Sequence, residues 1–117
     1  MKLNDILTVL DARLLAGDLQ QETEFHLCRA SDLMSDLLTA DAVGGVFLTG
    51  LTTLQAVRTA VVSGVGALVF VRGKEPPEEV VALAKTEGVP VLTTGCSMFV
   101  ASGRLFERGL AGRGANR

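Results

Sequence analysis

From residue 43 onward, short apolar runs alternate with segments that have the periodicity of a helix. The apolar runs lie at 46–49, 67–71 and 89–92. Continuous apolar runs of this length are typical of strands that are buried on both faces of a parallel sheet. The pattern therefore predicts a core of three parallel strands.

Residues 52–63 form the first connecting segment, and they separate into an apolar and a polar face at helical spacing. Gly64 is suited to end this helix. We expect the buried face to contain Leu54, Val57, Ala60 and Val61. The polar face is predicted to contain Gln55, Arg58, Thr59 and Ser63.

The second connecting segment, residues 76–87, has clearer boundaries. Pro76 and Pro77 favour a helix start, and Gly88 favours its end. The expected buried residues are Val80, Leu83 and Ala84. Two strand–helix–strand units in succession imply right-handed parallel crossovers. This part of the chain is therefore predicted to be an α/β fold.

The N-terminal part adds shorter elements. Residues 25–29 predict a strand, and residues 31–38 predict a helix. A helical stripe at 3–10 precedes a short strand at 12–15, and the first seventeen residues are interpreted as a small separate unit. The expected architecture is a single α/β domain, with helices on both faces of a parallel or mixed sheet.

The last helix is predicted at 97–108, and its expected buried residues are Met98, Ala101, Leu105 and Phe106. Gly103 costs this helix about 1 kcal/mol relative to alanine, which predicts a close approach to another backbone. No apolar stripe continues from Leu110, so these last residues are expected to fray. The predicted boundaries are a domain over 1–110 and a flexible tail over 111–117.

Composition agrees with one domain and limits the partners. The chain has 117 residues, and its aromatic residues are all Phe, so Val, Leu and Ala must build the core. A net charge of -2 without a basic block argues against nucleic acid. No apolar stretch reaches the roughly 20 residues of a membrane span, and no signal-peptide pattern begins the chain. We therefore expect a cytoplasmic protein without a membrane partner.

The mean hydropathy of +0.38 is high for a small domain with no predicted membrane span. A chain of this kind has little polar surface to cover its core, which favours self-association. The expected oligomer is a homodimer formed through helix or edge surfaces.

Catalytic and metal chemistry find little support in the residues. His26 is the only histidine and lies in a predicted strand, and its spacing from Cys28 and Cys96 matches no zinc site. Asp32 and Asp36 are better interpreted as a helix cap and a solvated face. The chain contains no phosphate-binding P-loop and no dinucleotide-binding glycine motif. We expect a protein without catalytic activity, metal or cofactor, whose cysteines are free thiols.

Ligands of open parallel sheets bind at the carboxyl ends of the strands. The loops there combine hydroxyls, glycines, two cationic side chains and helix N-termini, which suit a small anionic metabolite or nucleotide. The candidate residues are Ser31, Asp32, Thr49, Gly50, Arg72, Gly73, Lys74, Thr94, Gly95 and Ser97. Ser and Thr at helix starts are also ordinary caps worth about 1 kcal/mol each, so both interpretations stand.

Several segments together resemble the DRTGG domain family. They are the run "SDLMSDLL" at 31–38, the strand that ends in Thr49, the turn at 72–76, "EEVVALAKTEGVPVLTT" at 78–94 and "FVASGRLFERGL" at 99–110. The Asp-Arg-Thr-Gly-Gly motif that names the family is absent from the corresponding residues 24–30. Bulky polar residues often follow the Thr49 strand in the family, whereas this chain has residues 50–53 as "GLTT".

The resemblance implies a fold similar to the N-terminal domain of HPr kinase/phosphorylase and to the first domain of UDP-N-acetylmuramoyl peptide ligases. Members of the family also occur beside CBS domains and in phosphotransacetylases, as regulatory or small-molecule-sensing parts. Stand-alone members lie in gene neighbourhoods of iron-iron hydrogenases. The resemblance thus implies a non-catalytic sensor module, with a link to iron-iron hydrogenase or anaerobic metabolism. The alternative is a structural protein–protein interaction domain without a small ligand.

Overall fold

The computed structural model describes residues 1–39 and 42–112. Helices and strands alternate along most of the chain, and the five strands form one sheet in the order β1-β5-β4-β3-β2. The elements are α1 (Leu3–Val9), β1 (Arg13–Ala16), β2 (Cys28–Ala30), α2 (Met34–Thr39), β3 (Val46–Thr49), α3 (Leu54–Val62), β4 (Ala67–Phe70), α4 (Glu78–Glu87), β5 (Val91–Thr93) and α5 (Met98–Glu107).

The predicted parallel core is confirmed. β3 pairs parallel with β4, and β4 pairs parallel with β5. β2 extends the parallel part on one side, whereas β1 pairs antiparallel with β5 on the other, so the sheet is mixed. β5 begins after Pro90, whose ring nitrogen has no hydrogen to donate to a neighbouring strand.

Helices cover both faces of the sheet. β2, β3, β4 and β5 are adjacent in chain order, so each crossover moves in the same direction and leaves its helix on the same face. The core on that face includes Leu37 of α2, Val57 of α3 and Val80 of α4. On the opposite face, Ile6 of α1 and Leu105 of α5 pack against the sheet. The result is one α/β domain with a three-layer arrangement.

The first seventeen residues are part of this domain, and the prediction of a separate unit is wrong. β1 is an edge strand of the common sheet, and Leu3 and Ile6 of α1 are fully buried. The physical reason is that a helix of seven residues cannot bury an apolar stripe alone. It needs the surface that the sheet and α5 supply.

The C-terminal end also departs from the prediction. Leu110 is buried, and Ala111 forms a parallel bridge with Leu27. The Ala111 amide donates to the His26 carbonyl at 2.9 Å, and its carbonyl accepts from the Cys28 amide at 2.9 Å. The backbone of Ala111 is paired in this way because the edge strand β2 offers unpaired backbone groups. Residues 113–117 of the predicted tail lie outside the described residues.

Two helices bury a different set of residues from the predicted one. In α3, Thr59 is buried, whereas Val61 is 37% exposed. In α5, Ala101 and Leu105 are buried, whereas Phe106 is 47% exposed. The expected close approach at Gly103 is also wrong, because a Cβ there would meet no atom within 4 Å outside its own helix and chain neighbours. The narrow stripe of α5 that faces the sheet leaves Phe106 on its flank.

Candidate ligand site at the strand ends

Three of the predicted loops meet at the carboxyl ends of β2, β3 and β4. The Asp32 side chain joins them: its Oδ1 accepts a hydrogen bond from the Gly50 amide at 2.7 Å, and its Oδ2 accepts one from Arg72 Nη2 at 3.2 Å. The Thr49 hydroxyl lies 3.5 Å from Asp32 Oδ1. We call Asp32, Thr49, Gly50 and Arg72 the Asp32 corner. The hydrogen bonds from Gly50 and Arg72 to Asp32 join residues that are 18 and 40 positions apart in the sequence.

Gly50 permits this arrangement because it has no side chain. A Cβ at Gly50 would overlap Arg72 Nη2 and would lie 2.6 Å from Arg72 Cζ. Only glycine therefore lets the guanidinium lie directly against the backbone after β3. The close approach explains why this strand end has glycine where a larger residue would displace the arginine.

The loop after β4 turns sharply to present Arg72. Arg72 has φ 64 and Gly73 has φ 68, so two successive residues are left-handed. This turn aims the Arg72 amide at the Cys96 carbonyl (2.7 Å) and the Gly73 amide at the Thr94 carbonyl (2.9 Å). A left-handed arginine is strained, and the two hydrogen bonds hold it there.

The corner is electrostatically tuned and open to solvent. The hydrogen bond from the Gly50 amide and the nearby charge of Arg72 lower the pKa of Asp32 from 3.8. The side chains of Arg72 and Asp32 are 41% and 43% exposed. A guanidinium has five N–H donors, and Arg72 places one of them on Asp32, so it retains capacity for an added ligand.

Two other predicted residues, Ser31 and Ser97, have structural partners, whereas the side chain of a third, Lys74, is exposed. The Ser31 hydroxyl donates to Asp36 Oδ2 at 2.7 Å and accepts from the Leu33 amide at 3.0 Å, next to the start of α2. Ser97 caps α5 by accepting from the Val100 amide at 3.1 Å. For Ser97 the geometry is that of a helix cap, whereas Ser31 forms a local turn just before α2. Lys74 is exposed, and the described part of the chain offers its ammonium no hydrogen bond or ion pair.

Thr94, Gly95 and Ser97 lie in a separate open groove of about 400 Å³. Arg72 and Lys74 do not line it, so the ten predicted residues do not share one pocket. The Thr94 hydroxyl donates to the Leu10 carbonyl at 2.6 Å, which anchors the end of α1. Leu10 and Asp11 also line this groove, and sequence reasoning missed them because the fold brings them from a distant segment. The other lining residues, Cys96, Val100 and Arg104, lie in or just after the predicted loop.

A second cavity lies between α5 and β2 and was not predicted. This α5–β2 groove has a volume of about 320 Å³. Phe99, 86% exposed, and Phe106 contribute aromatic walls, and Gly103 lies between them in the sequence. The residues that line it are Cys28, Arg29, Ala30, Phe99, Ser102, Gly103, Phe106, Leu110, Ala111 and Gly112. The one feature of the sequence that pointed to this groove was Gly103, because glycine is unfavourable inside a helix and no packed neighbour requires it here.

Burial makes the Cys28 thiol hard to ionise. Cys28 and Cys96 are both free, and burial raises the pKa of the Cys28 thiol to about 12. Residues 1–39 and 42–112 contain no group of three or more His, Cys, Asp or Glu side chains that could hold a metal ion. Over the same residues, no helix has the length and apolar character needed to cross a membrane.

No protein-family model matches the chain, and no curated protein is similar to it in sequence. A solved structure is similar in fold: the CBS and DRTGG domains of the regulatory region of Clostridium perfringens pyrophosphatase, in complex with the activator diadenosine tetraphosphate. The TM-score is 0.75 at 22% identity, over 89% of this chain and 45% of that one. This chain thus spans less than half of that region, and the likeness supports a DRTGG-like α/β fold.

Proposed function

We propose that this chain is a non-catalytic regulatory module that binds a small anionic metabolite or nucleotide at the Asp32 corner. The observation that carries the proposal is the half-exposed guanidinium of Arg72, held against Gly50 where three strand ends meet. In open parallel sheets, this edge is where ligands bind.

The chemistry of the corner suits phosphate or carboxylate oxygens. A guanidinium is a planar fork that binds such groups through paired hydrogen bonds. Lys74, two residues further along the same exposed loop, adds a second positive charge. Asp32 is a weak candidate for a general base, because its pKa is held below the ordinary value and a base of low pKa takes up protons poorly at neutral pH. The corner therefore supports binding better than catalysis.

The fold comparison supports a regulatory role. The similar structure is a regulatory region that was solved with a nucleotide activator. A nucleotide carries a phosphate chain that suits Arg72 and Lys74, and it is our leading ligand class. The link to iron-iron hydrogenase or anaerobic metabolism stays a prediction from the family resemblance.

Calorimetric titration with AMP, ADP, ATP and inorganic tripolyphosphate tests the proposal. Arg72→Gly removes the guanidinium and tolerates the left-handed backbone of this position. Arg58→Ala, on the exposed side of α3, removes one positive charge elsewhere and is the matched control. We expect at least about tenfold weaker binding in Arg72→Gly and unchanged binding in Arg58→Ala. Equal affinities in all three proteins would contradict the proposal.

The α5–β2 groove favours a second candidate function, a structural interaction domain that pairs with a second copy of this chain. Phe99, which is 86% exposed, and the half-exposed Phe106 line the same groove, and contiguous exposed apolar surface of this kind marks interaction sites. Light scattering at micromolar concentration would then give about twice the chain mass of 12.3 kDa. Phe99→Ser would return the mass to that of one chain. A wild-type mass of one chain would contradict this candidate.

A further inference from the structure

We infer that Asp32 is a displaceable internal anion: it occupies the position that a ligand anion takes at Arg72, so that the corner selects multiply charged anions over singly charged ones. This inference rests on the proposed function and deepens it, because it names the ligand class and the competitor at the same site.

The geometry of Asp32 is that of a bound anion. One carboxylate oxygen accepts from a backbone amide at 2.7 Å, and the other accepts from a guanidinium at 3.2 Å. An amide together with a guanidinium is the donor set that proteins use to hold phosphate and carboxylate groups. The donors belong to the loops after β3 and β4, whereas the carboxylate comes from the loop after β2. The anion and its two donors therefore come from three different loops.

Asp32 is also held loosely enough to leave. Its side chain is 43% exposed, and ion pairs at such exposed positions contribute little to stability. The backbone of its loop has an independent anchor, because the Ser31 amide donates to the Leu48 carbonyl at 3.1 Å. Displacement thus requires rotation of one side chain and leaves β2 paired with β3.

The charge balance at the corner explains the selection. Releasing Asp32 costs the same for every ligand, whereas the attraction of a ligand to Arg72 and Lys74 grows with its charge and its number of acceptor oxygens. When a singly charged anion replaces Asp32 at Arg72, the number of negative charges beside Arg72 stays the same, so the attraction does not increase. A di- or triphosphate brings enough additional charge to outcompete the carboxylate.

Calorimetry with inorganic tripolyphosphate and orthophosphate tests the inference on the full chain. Asp32→Asn removes the charge and keeps an oxygen that can accept from the Gly50 amide. Glu87→Gln, on the exposed end of α4, removes the same charge far along the sequence and is the matched control. We expect about tenfold tighter tripolyphosphate binding in Asp32→Asn, measurable orthophosphate binding in that variant, and wild-type behaviour in Glu87→Gln.

The outcomes separate this inference from the proposed function. If wild type binds through Arg72 and Asp32→Asn binds equally or more weakly, Asp32 is not a competitor and the proposed function stands. If neither folded protein binds either anion, both are overturned. If the Asp32→Asn variant fails to fold, the inference can still be tested on the wild-type protein alone. The NMR resonance of the wild-type Gly50 amide must shift on saturation with tripolyphosphate. An unshifted Gly50 amide overturns the inference.

Discussion

Gly50 and Arg72 are complementary: the guanidinium of Arg72 fills the space that a side chain at position 50 would occupy. Because Arg72 also pairs with Asp32, the absence of one Cβ brings together the loops after three strands. This relationship joins a backbone feature to the charge that we propose for ligand binding.

Gly50→Ala is expected to weaken anion binding more than it weakens the fold. The new methyl group would displace the guanidinium, but the end of an arginine side chain can swing away at low cost. We expect the free energy of unfolding to fall by less than about 1 kcal/mol, while tripolyphosphate affinity falls several-fold. Urea denaturation and calorimetry on the same sample measure the two effects. Unchanged affinity would show that the position of Arg72 against Gly50 is irrelevant to binding.

The Asp32 corner predicts a small acid-dependent contribution to stability. The Gly50 amide and Arg72 lower the folded-state pKa of Asp32, so its contribution is present above the ordinary pKa of 3.8 and is lost as the pH falls through the lower folded-state value. Solvent screening limits this contribution to less than about 1 kcal/mol. Denaturation of wild type and Asp32→Asn should show a difference at pH 7 that disappears near pH 2. A difference that grows toward acid pH would contradict the sign.

Cys28 is predicted to be a slow nucleophile. With its pKa raised to about 12 by burial, the thiol has a very small thiolate fraction at pH 8. In a Cys96→Ser variant, alkylation by iodoacetamide should be at least about tenfold slower than that of free cysteine. In a chain unfolded by urea, the rate should return to that of an ordinary thiol. Rapid alkylation of the folded variant would show that Cys28 is accessible and ionised.

Gly103→Ala should stabilise the protein. The position lies inside α5, its φ is not left-handed, and an added Cβ meets open space. Helix propensity then predicts an increase of up to about 1 kcal/mol in the free energy of unfolding. Urea denaturation measures it. A loss of stability would indicate a packing constraint on Gly103 that the open space does not reveal.

The parallel core could be predicted because its signals are local. Apolar runs and helix caps are read within a few residues, and the elements around β3, β4 and β5 follow them closely. The edges of the sheet could not be predicted in the same way. The pairing of Arg13 with Thr93 and of Ala111 with Leu27 depends on which distant segment reaches an open edge, and no short pattern encodes that choice.

The types of residue at the candidate site could be predicted from the sequence, but which of them lie next to one another could be predicted only in part. Topology places Asp32, Gly50 and Arg72 at one edge of the sheet, as expected from parallel crossovers. The direction of the Arg72 side chain, however, depends on its left-handed backbone conformation. Arginine rarely adopts this conformation, and the local sequence does not predict it. The exposure of Phe106 was missed because an apolar residue at helical spacing is usually part of the core.

The most direct test of the account is a ¹H–¹⁵N NMR titration of the wild-type chain with tripolyphosphate, followed by ATP. We expect saturable shifts of the backbone amides of Asp32, Gly50 and Gly73, which mark the three loops of the corner. The Gly95 and Gly103 amides, in the two other grooves, serve as internal controls and should move little. Shifts confined to Gly95 or Gly103, or no shifts at millimolar ligand, would contradict the claim that the Asp32 corner binds anions.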